Sequence, residues 1–136
     1  MGAWSHESFG NDTAADWAAG LESSADLGYV ENTLQAVLDA GEDYLDADQA
    51  CEAIAAAEVV ARLLGNFGVR DAYSEAVDDW VQRTRLVPGG ALAAKARQVL
   101  DRIVSEPSEL LELWEESEDA SEWLSAVGEL RARIKV

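Results

Sequence analysis

Apolar residues recur at helical spacing along almost the whole chain. No stretch of five or more residues alternates strictly between apolar and polar side chains and is also rich in β-branched residues, so no strand is predicted. The pattern predicts an all-α fold: one domain over residues 1–136, a bundle of about six or seven short helices. In chain order, the predicted helices are the segments around Trp17, Tyr29–Ala40, Asp46–Leu64, Asp71–Thr84, Leu92–Ile103, Leu110–Trp114 and Trp123–Ile134.

The segment Asp46–Leu64 is the best candidate for the centre of the bundle. Apolar residues fill one broad face, and alanines cover much of the rest, which lets neighbouring helices approach closely. Asp46 followed by Gln49 resembles a capping box, and Gly65 is a typical stop. Glu58 and Arg62 stand one turn apart in this apolar helix, a spacing that favours a buried ion pair with a structural role.

Other helix ends are predicted from local signals. Gly41 ends the second helix, and Pro88-Gly89-Gly90 is the clearest break in the chain. Ser105 with Pro107 is expected to start the sixth helix, and Asp119 with Glu122 to cap the last one.

Composition and charge narrow the classes of partner. The 136 residues carry a net charge of −17, which repels phosphate backbones and anionic membranes, so nucleic-acid and membrane binding are not expected. Apolar runs all fall short of the roughly 18 residues that a membrane span needs, and a basic segment followed by an apolar one, as in secretory signals, is missing. The single Cys51 fits a reducing compartment. We therefore expect a soluble cytoplasmic protein.

The charge is distributed unevenly. The first 61 residues hold thirteen carboxylates and neither lysine nor arginine, whereas the other 75 hold fourteen acids and ten bases, which gives −13 and −4. The bases of residues 83–102 are expected to face the acids of residues 106–122, leaving the first half as an anionic surface. That acidity has two open explanations: a functional acidic face, or a GC-rich genome or salt-rich cytoplasm.

The opening MGAWSHESFGNDTAADW resembles the start of the bacterial family catalogued as domain of unknown function 4259. Matching positions include Met1, Gly2, Trp4, Phe9, Asn11, Asp12, Ala14, Asp16 and Trp17. The likeness continues through AAAEVVARLLG and ALAAKARQVLDRIVSEPSELLELWEE, so it covers most of the chain. Ser5 and Glu7 stand where glycines are expected, and Gly10 where an acid is. The resemblance implies a fold but transfers no catalytic residue.

The N-terminal segment offers the only candidate ligand site, made of Trp4, His6, Asn11, Asp12 and Asp16. His6 is the sole histidine and could titrate near neutral pH beside carboxylates. The alternative is structural: Trp4, Phe9 and Trp17 form a lid on the core, while Asn11 and Asp12 cap the first helix. Cys51 and His6 are singletons, so zinc sites of Cys and His pairs are excluded within one chain. We expect no metal and no cofactor.

The charge pattern favours a non-enzymatic binding protein whose acidic surface engages a basic protein partner, for example as an inhibitor or immunity protein of a basic nuclease or toxin. One alternative is a small enzyme that uses His6 with Asp12 or Asp16. Another is a homo-oligomeric structural module in which exposed tryptophans form a symmetric interface. The oligomeric state is not set by the sequence.

Overall fold

The computed structural model describes residues 12–68 and 74–135 of the chain. Over these ranges the chain forms seven α-helices and no strand, which confirms the all-α prediction. The helices are α1 (Asp12–Leu21), α2 (Gly28–Asp39), α3 (Ala47–Leu63), α4 (Glu75–Thr84), α5 (Gly90–Ile103), α6 (Glu109–Glu115) and α7 (Ala120–Arg133).

Helix α3 is the centre of the bundle, as predicted. It packs against each of the other six helices, and from Ala50 to Arg62 only Glu52 is not buried. Seven alanines lie in this helix. Since a methyl group is the whole side chain, neighbours can approach α3 from several sides without leaving cavities. Large side chains from the surrounding helices, among them Trp80, Leu34 and Leu100, complete the core.

Several predicted helix ends are confirmed. Gly41 and Gly65 adopt positive φ angles of 57° and 91°, the left-handed conformation that follows a helix and that favours glycine. The Asp46 carboxylate accepts a hydrogen bond of 3.1 Å from the backbone N–H of Gln49 and so caps α3.

One predicted helix start is wrong, and one predicted cap is correct in position only. Helix α6 is capped by Ser108, whose Oγ accepts from the N–H of Leu111 at 3.4 Å, because the Ser105 hydroxyl instead donates to the Asp101 carbonyl at 2.7 Å. Asp119 is the N-cap residue of α7, as predicted, but its side chain makes no capping hydrogen bond. The predicted first residue of the fourth helix, Asp71, lies outside the described residues.

The expectation that basic α5 pairs with acidic α6 is also wrong, since no ion pair joins these two fully described helices. Lys95 faces Glu31 of α2 at 3.4 Å instead. The guanidinium groups of Arg97 and Arg102 donate to backbone carbonyls. A tally of charges cannot show that an arginine is used in this way, because carbonyl groups carry no formal charge.

A short backbone link joins the α2–α3 connection to the start of α6. The N–H of Leu45 donates to the Pro107 carbonyl at 3.2 Å, and the N–H of Glu109 donates to the Leu45 carbonyl at 2.9 Å. Leu45 and Ser108 are fully buried at this link. Two segments more than sixty residues apart in sequence therefore share one end of the bundle.

Candidate functional site

The predicted N-terminal site is only partly described. Trp4, His6 and Asn11 lie outside the described residues, so the grouping of these side chains stays a prediction. Asp12 and Asp16 are exposed and one turn apart on α1. The structure thus places two of the five predicted residues on one accessible helix face.

Trp17 contributes to the core beside this face. It is buried, and its ring stacks on Tyr29 with centroids 5.0 Å apart. Its Nε1 donates to Thr33 Oγ1 at 2.8 Å, and the Tyr29 hydroxyl donates to its carbonyl at 2.9 Å. Trp17, one residue of the predicted aromatic lid, therefore has a structural role, because it packs α1 against α2.

The predicted Glu58–Arg62 pair exists and belongs to a larger buried network. Arg62 Nη2 lies 3.4 Å from Glu58 Oε1, and its Nη1 donates to Asp78 of α4. Arg133 of α7 forms a bidentate pair with Glu58, with distances of 2.7 and 3.1 Å. Asp78 also accepts from Ser74 Oγ at 2.9 Å. Both guanidinium groups are thus paired with buried carboxylates that belong to α3 and α4.

The burial and mutual pairing of these side chains identify the network as structural. Removing one member would leave a buried charge without its partner, which costs several kcal/mol, so the four side chains fix α3, α4 and α7 relative to one another. Across the described residues, no group of three or more His, Cys, Asp or Glu side chains is arranged to hold a metal ion.

Cys51 is a buried free thiol. Burial, followed by the negative fields of Asp48, Glu52 and Asp46, raises its pKa from 9.0 to about 12. Since the thiolate is the reactive form of cysteine, this side chain is suited to packing and unsuited to nucleophilic chemistry.

The strongest surface feature lies at the N-terminal end of α3, where that end meets α6. We call it the acidic surface and define it as Tyr44, Asp46, Asp48, Glu52, Glu109 and Glu112. Tyr44 is 55% exposed, and its hydroxyl donates to Glu112 Oε1 at 3.2 Å. This surface therefore combines one exposed aromatic ring with five carboxylates.

Electrostatic influence links the two sides of this surface through Asp46. Partial desolvation, the hydrogen bond to Glu112 and the fields of Glu112, Glu109 and Asp46 raise the pKa of Tyr44. Desolvation and the fields of Asp48 and Asp46 likewise raise the pKa of Glu52. Asp46 contributes to both shifts after desolvation, so this carboxylate is common to the Tyr44 side and the Glu52 side of the surface.

Helix stabilisation explains part of this cluster. Asp46 caps α3, and Glu109 Oε1 accepts from the N–H of Ala47 at 2.8 Å, so both carboxylates satisfy free donors at the positive end of the α3 dipole. Asp48 lies in the first turn of α3 and accepts from Thr13 Oγ1 at 3.2 Å. Glu52 and Glu112 have no such role in the helix, and Tyr44 remains open to solvent.

The chain's cations do little to neutralise this surface. Over residues 12–61, the carboxylates that form ion pairs with Lys or Arg in the described structure are Glu31 and Glu58, and neither belongs to the acidic surface. Arg102 lies underneath but donates to carbonyl groups. Apart from half-buried Glu52 and buried Glu58, the described carboxylates of this half are exposed.

The sequence interpretation missed Tyr44, Glu109 and Glu112 as members of a site. Tyr44 carries a local signal, because it stands in the acidic run EDYLDAD. Glu109 and Glu112 carry no such local signal, because only the backbone link between Leu45 and Ser108 brings α6 next to Tyr44.

A family model described as "Domain of unknown function (DUF4259)" matches residues 2–126. No curated protein and no solved structure matches the chain. Among the helices of the described ranges, none has both the length and the apolarity to cross a membrane.

Proposed function

Because this chain belongs to the DUF4259 family, whose description assigns no activity, we propose a function from its surface: a non-enzymatic, cytoplasmic binding protein whose acidic surface docks a basic protein partner. The bacterial origin and reducing compartment that the sequence favours are part of this proposal. The buried free thiol of Cys51 supports such a compartment.

One observation carries the proposal: carboxylates from two distant segments converge around an exposed tyrosine, without ion pairs to the chain's own described cations. Gathering like charges raises the free energy of the folded protein. A cationic partner removes that repulsion on binding. The acidic field would speed encounter, and Tyr44 would supply an aromatic anchor at its centre.

Inhibition of a basic nuclease or toxin is the concrete form of this role. An enzyme that binds nucleic acid presents a cationic cleft to its substrate. An acidic protein surface can occupy the same cleft and exclude the substrate by competing for the same arginines and lysines. The partner would be a folded protein with a basic, concave face.

A charge-matched pair of variants tests the proposal. Asp48→Asn/Glu52→Gln/Glu112→Gln removes three charges from the acidic surface, and the amide oxygens can still accept the bonds from Thr13 and Tyr44. Asp79→Asn/Glu118→Gln/Glu122→Gln removes three exposed charges that do not contribute to the raised pKa values of Tyr44, Cys51 or Glu52. Both variants have the same net charge.

Each protein is immobilised and exposed to native lysate of the source cell at low salt, and the bound proteins are identified by mass spectrometry. We expect a basic protein that is captured by the wild type and the control triple, lost with the surface triple and released by salt. The purified partner should then bind with the same ranking. Equal capture by both triples, or capture that salt does not reduce, would refute the proposal.

A further inference from the structure

Arg102, at the C-terminal end of α5, contacts four backbone carbonyls from two connecting segments. Its Nε donates to Gly41 at 2.9 Å, its Nη1 to Ser105 at 2.9 Å, and its Nη2 to Asp43 and Pro107, both at 2.8 Å. The guanidinium plane thus joins the connection that follows α2 to the connection between α5 and α6. The side chain is half-buried, and it has no carboxylate partner in the described structure.

These carbonyls flank the residues that form the acidic surface. Gly41 and Asp43 immediately precede Tyr44, while Pro107 precedes the segment that carries Glu109 and Glu112. The backbone link between Leu45 and Glu109 joins the same two connections. Arg102 therefore holds, by their backbones, the two connections that lead into the surface.

We propose that Arg102 is the positioning residue of the acidic surface: its guanidinium fixes the two connecting segments so that Tyr44 and the carboxylates meet a cationic partner in one preformed arrangement. This inference rests on the docking role proposed above. Preformed surfaces bind more tightly because less conformational entropy is lost on association.

Arginine is the residue that this geometry requires. A guanidinium carries five donors in a rigid plane and can reach carbonyls on several sides, whereas the ammonium of lysine is a compact point charge. The positive charge of Arg102 is also favourable at this position, because the carbonyls at the C-terminal ends of α2 and α5 carry partial negative charge. Lysine would keep the charge but lose the four-way contact.

The sign of the effect separates positioning from charge. Arg102→Gln removes a positive charge from beneath an acidic surface, so simple electrostatics predicts tighter binding of a cation. Arg102→Lys keeps the charge, so simple electrostatics predicts no change. Positioning predicts weaker binding for both variants. Arg85→Gln and Arg85→Lys are matched controls, because Arg85 is exposed and its side chain lies outside the contacts that shape the surface.

The probe is an alanine-based helical peptide with four arginines on one face, and its dissociation constant is measured at low salt. We expect both Arg102 variants to weaken binding by about fivefold or more, chiefly through faster dissociation. The Arg85→Lys control should match the wild type, and Arg85→Gln should match it or bind slightly more tightly. Wild-type affinity in both Arg102 variants, or tighter binding by Arg102→Gln, would overturn the positioning role.

Hydrogen exchange gives a second test, which compares the wild-type protein with Arg102→Lys. If Arg102 joins the two segments into one unit, the amides of Leu45 and Glu109 should open together, with similar protection, and both should lose protection in Arg102→Lys. Independent opening in the wild type, or unchanged protection in the variant, would contradict the proposal.

Failure of this inference differs from failure of the docking role. If the wild type does not bind the peptide, or if the surface triple and the control triple bind it equally, the docking role fails. If the triples differ as expected and the Arg102 variants behave like the wild type, only the positioning role fails.

Discussion

Gly68 lies directly against the guanidinium group of Arg133. A Cβ atom at position 68 would lie 2.7 Å from Nη2 and 2.8 Å from Cζ of that group. The guanidinium cannot move aside without loss, because it is held by Glu58, by Glu129 and by the Asn66 carbonyl at 3.1 Å. Gly68 thus makes room for the ion pair that attaches the end of α7 to α3.

The first prediction concerns that contact. Gly68→Ala should lower the free energy of unfolding by about 1–3 kcal/mol, because the new methyl group displaces Arg133 from Glu58. Urea denaturation measures the change. Gly128→Ala is the control: Gly128 lies in α7 with open space at its Cβ, so alanine should stabilise the helix by roughly 0.5–1 kcal/mol. Equal behaviour of the two variants would contradict this role for Gly68.

The second prediction compares two arginines of α7. Arg133→Gln leaves Glu58, which is buried, without its bidentate partner and should lower the free energy of unfolding by about 3–5 kcal/mol. Arg131→Gln removes an exposed pair with Asp101, at 2.7 Å, and should leave the stability close to that of the wild type, because solvent screens exposed pairs. Chemical denaturation of both variants checks the difference, and similar losses would show that the buried network is not what fixes α7.

The third prediction is a dependence of stability on pH at Glu52. Its pKa in the folded protein is raised above the ordinary 4.5, first by desolvation and then by Asp48 and Asp46. The folded protein therefore binds this proton more tightly than the unfolded chain does. Glu52 destabilises the fold above its folded-state pKa, and the penalty disappears as the pH falls below the ordinary value.

Glu52→Gln should accordingly stabilise the protein at neutral pH, by up to about 0.5 kcal/mol, because it also removes the repulsion from Asp48 one turn away. The gain should vanish in acid. Thermal unfolding of wild type and variant at several pH values measures it. A gain that is constant with pH, or a loss at neutral pH, would show that Glu52 is not repelled by its neighbours.

The fourth prediction concerns Cys51. With a pKa of about 12 in place of 9.0, its thiolate population at mildly alkaline pH should be lower by about a thousandfold than that of an unperturbed thiol. A disulfide reagent should therefore label the folded protein very slowly and the denatured protein within seconds. Rapid labelling under native conditions would contradict the burial of this side chain.

The sequence revealed the local features of the fold and missed the distant ones. Gly41, Gly65 and Asp46 could be recognised because a helix end depends on neighbouring residues. Glu58 and Arg62 could be paired for the same reason. Asp78 and Arg133 complete that network from two other helices, and no spacing rule connects them to α3.

The acidic surface could likewise be predicted only where its residues are neighbours in the sequence. The run from Asp43 to Glu52 is visible as a concentration of charge in the sequence. The contribution of Glu112, and the use of Arg102 on carbonyl groups, depend on how the α2–α3 connection meets α6. Caps were also hard to predict where two serines could begin the same helix. Ser105 was the expected start of α6, but its hydroxyl donates to the Asp101 carbonyl in the preceding turn.

The most direct test of the central claim is the affinity for the four-arginine helical peptide, measured from low to high salt for the wild type and the two charge-matched triples. An anionic docking surface predicts that Asp48→Asn/Glu52→Gln/Glu112→Gln weakens binding roughly tenfold at low salt. The control Asp79→Asn/Glu118→Gln/Glu122→Gln should weaken it less than about threefold, and the difference should disappear as salt screens the charges. Equal losses in the two triples would show that only the net charge matters, and would contradict the account.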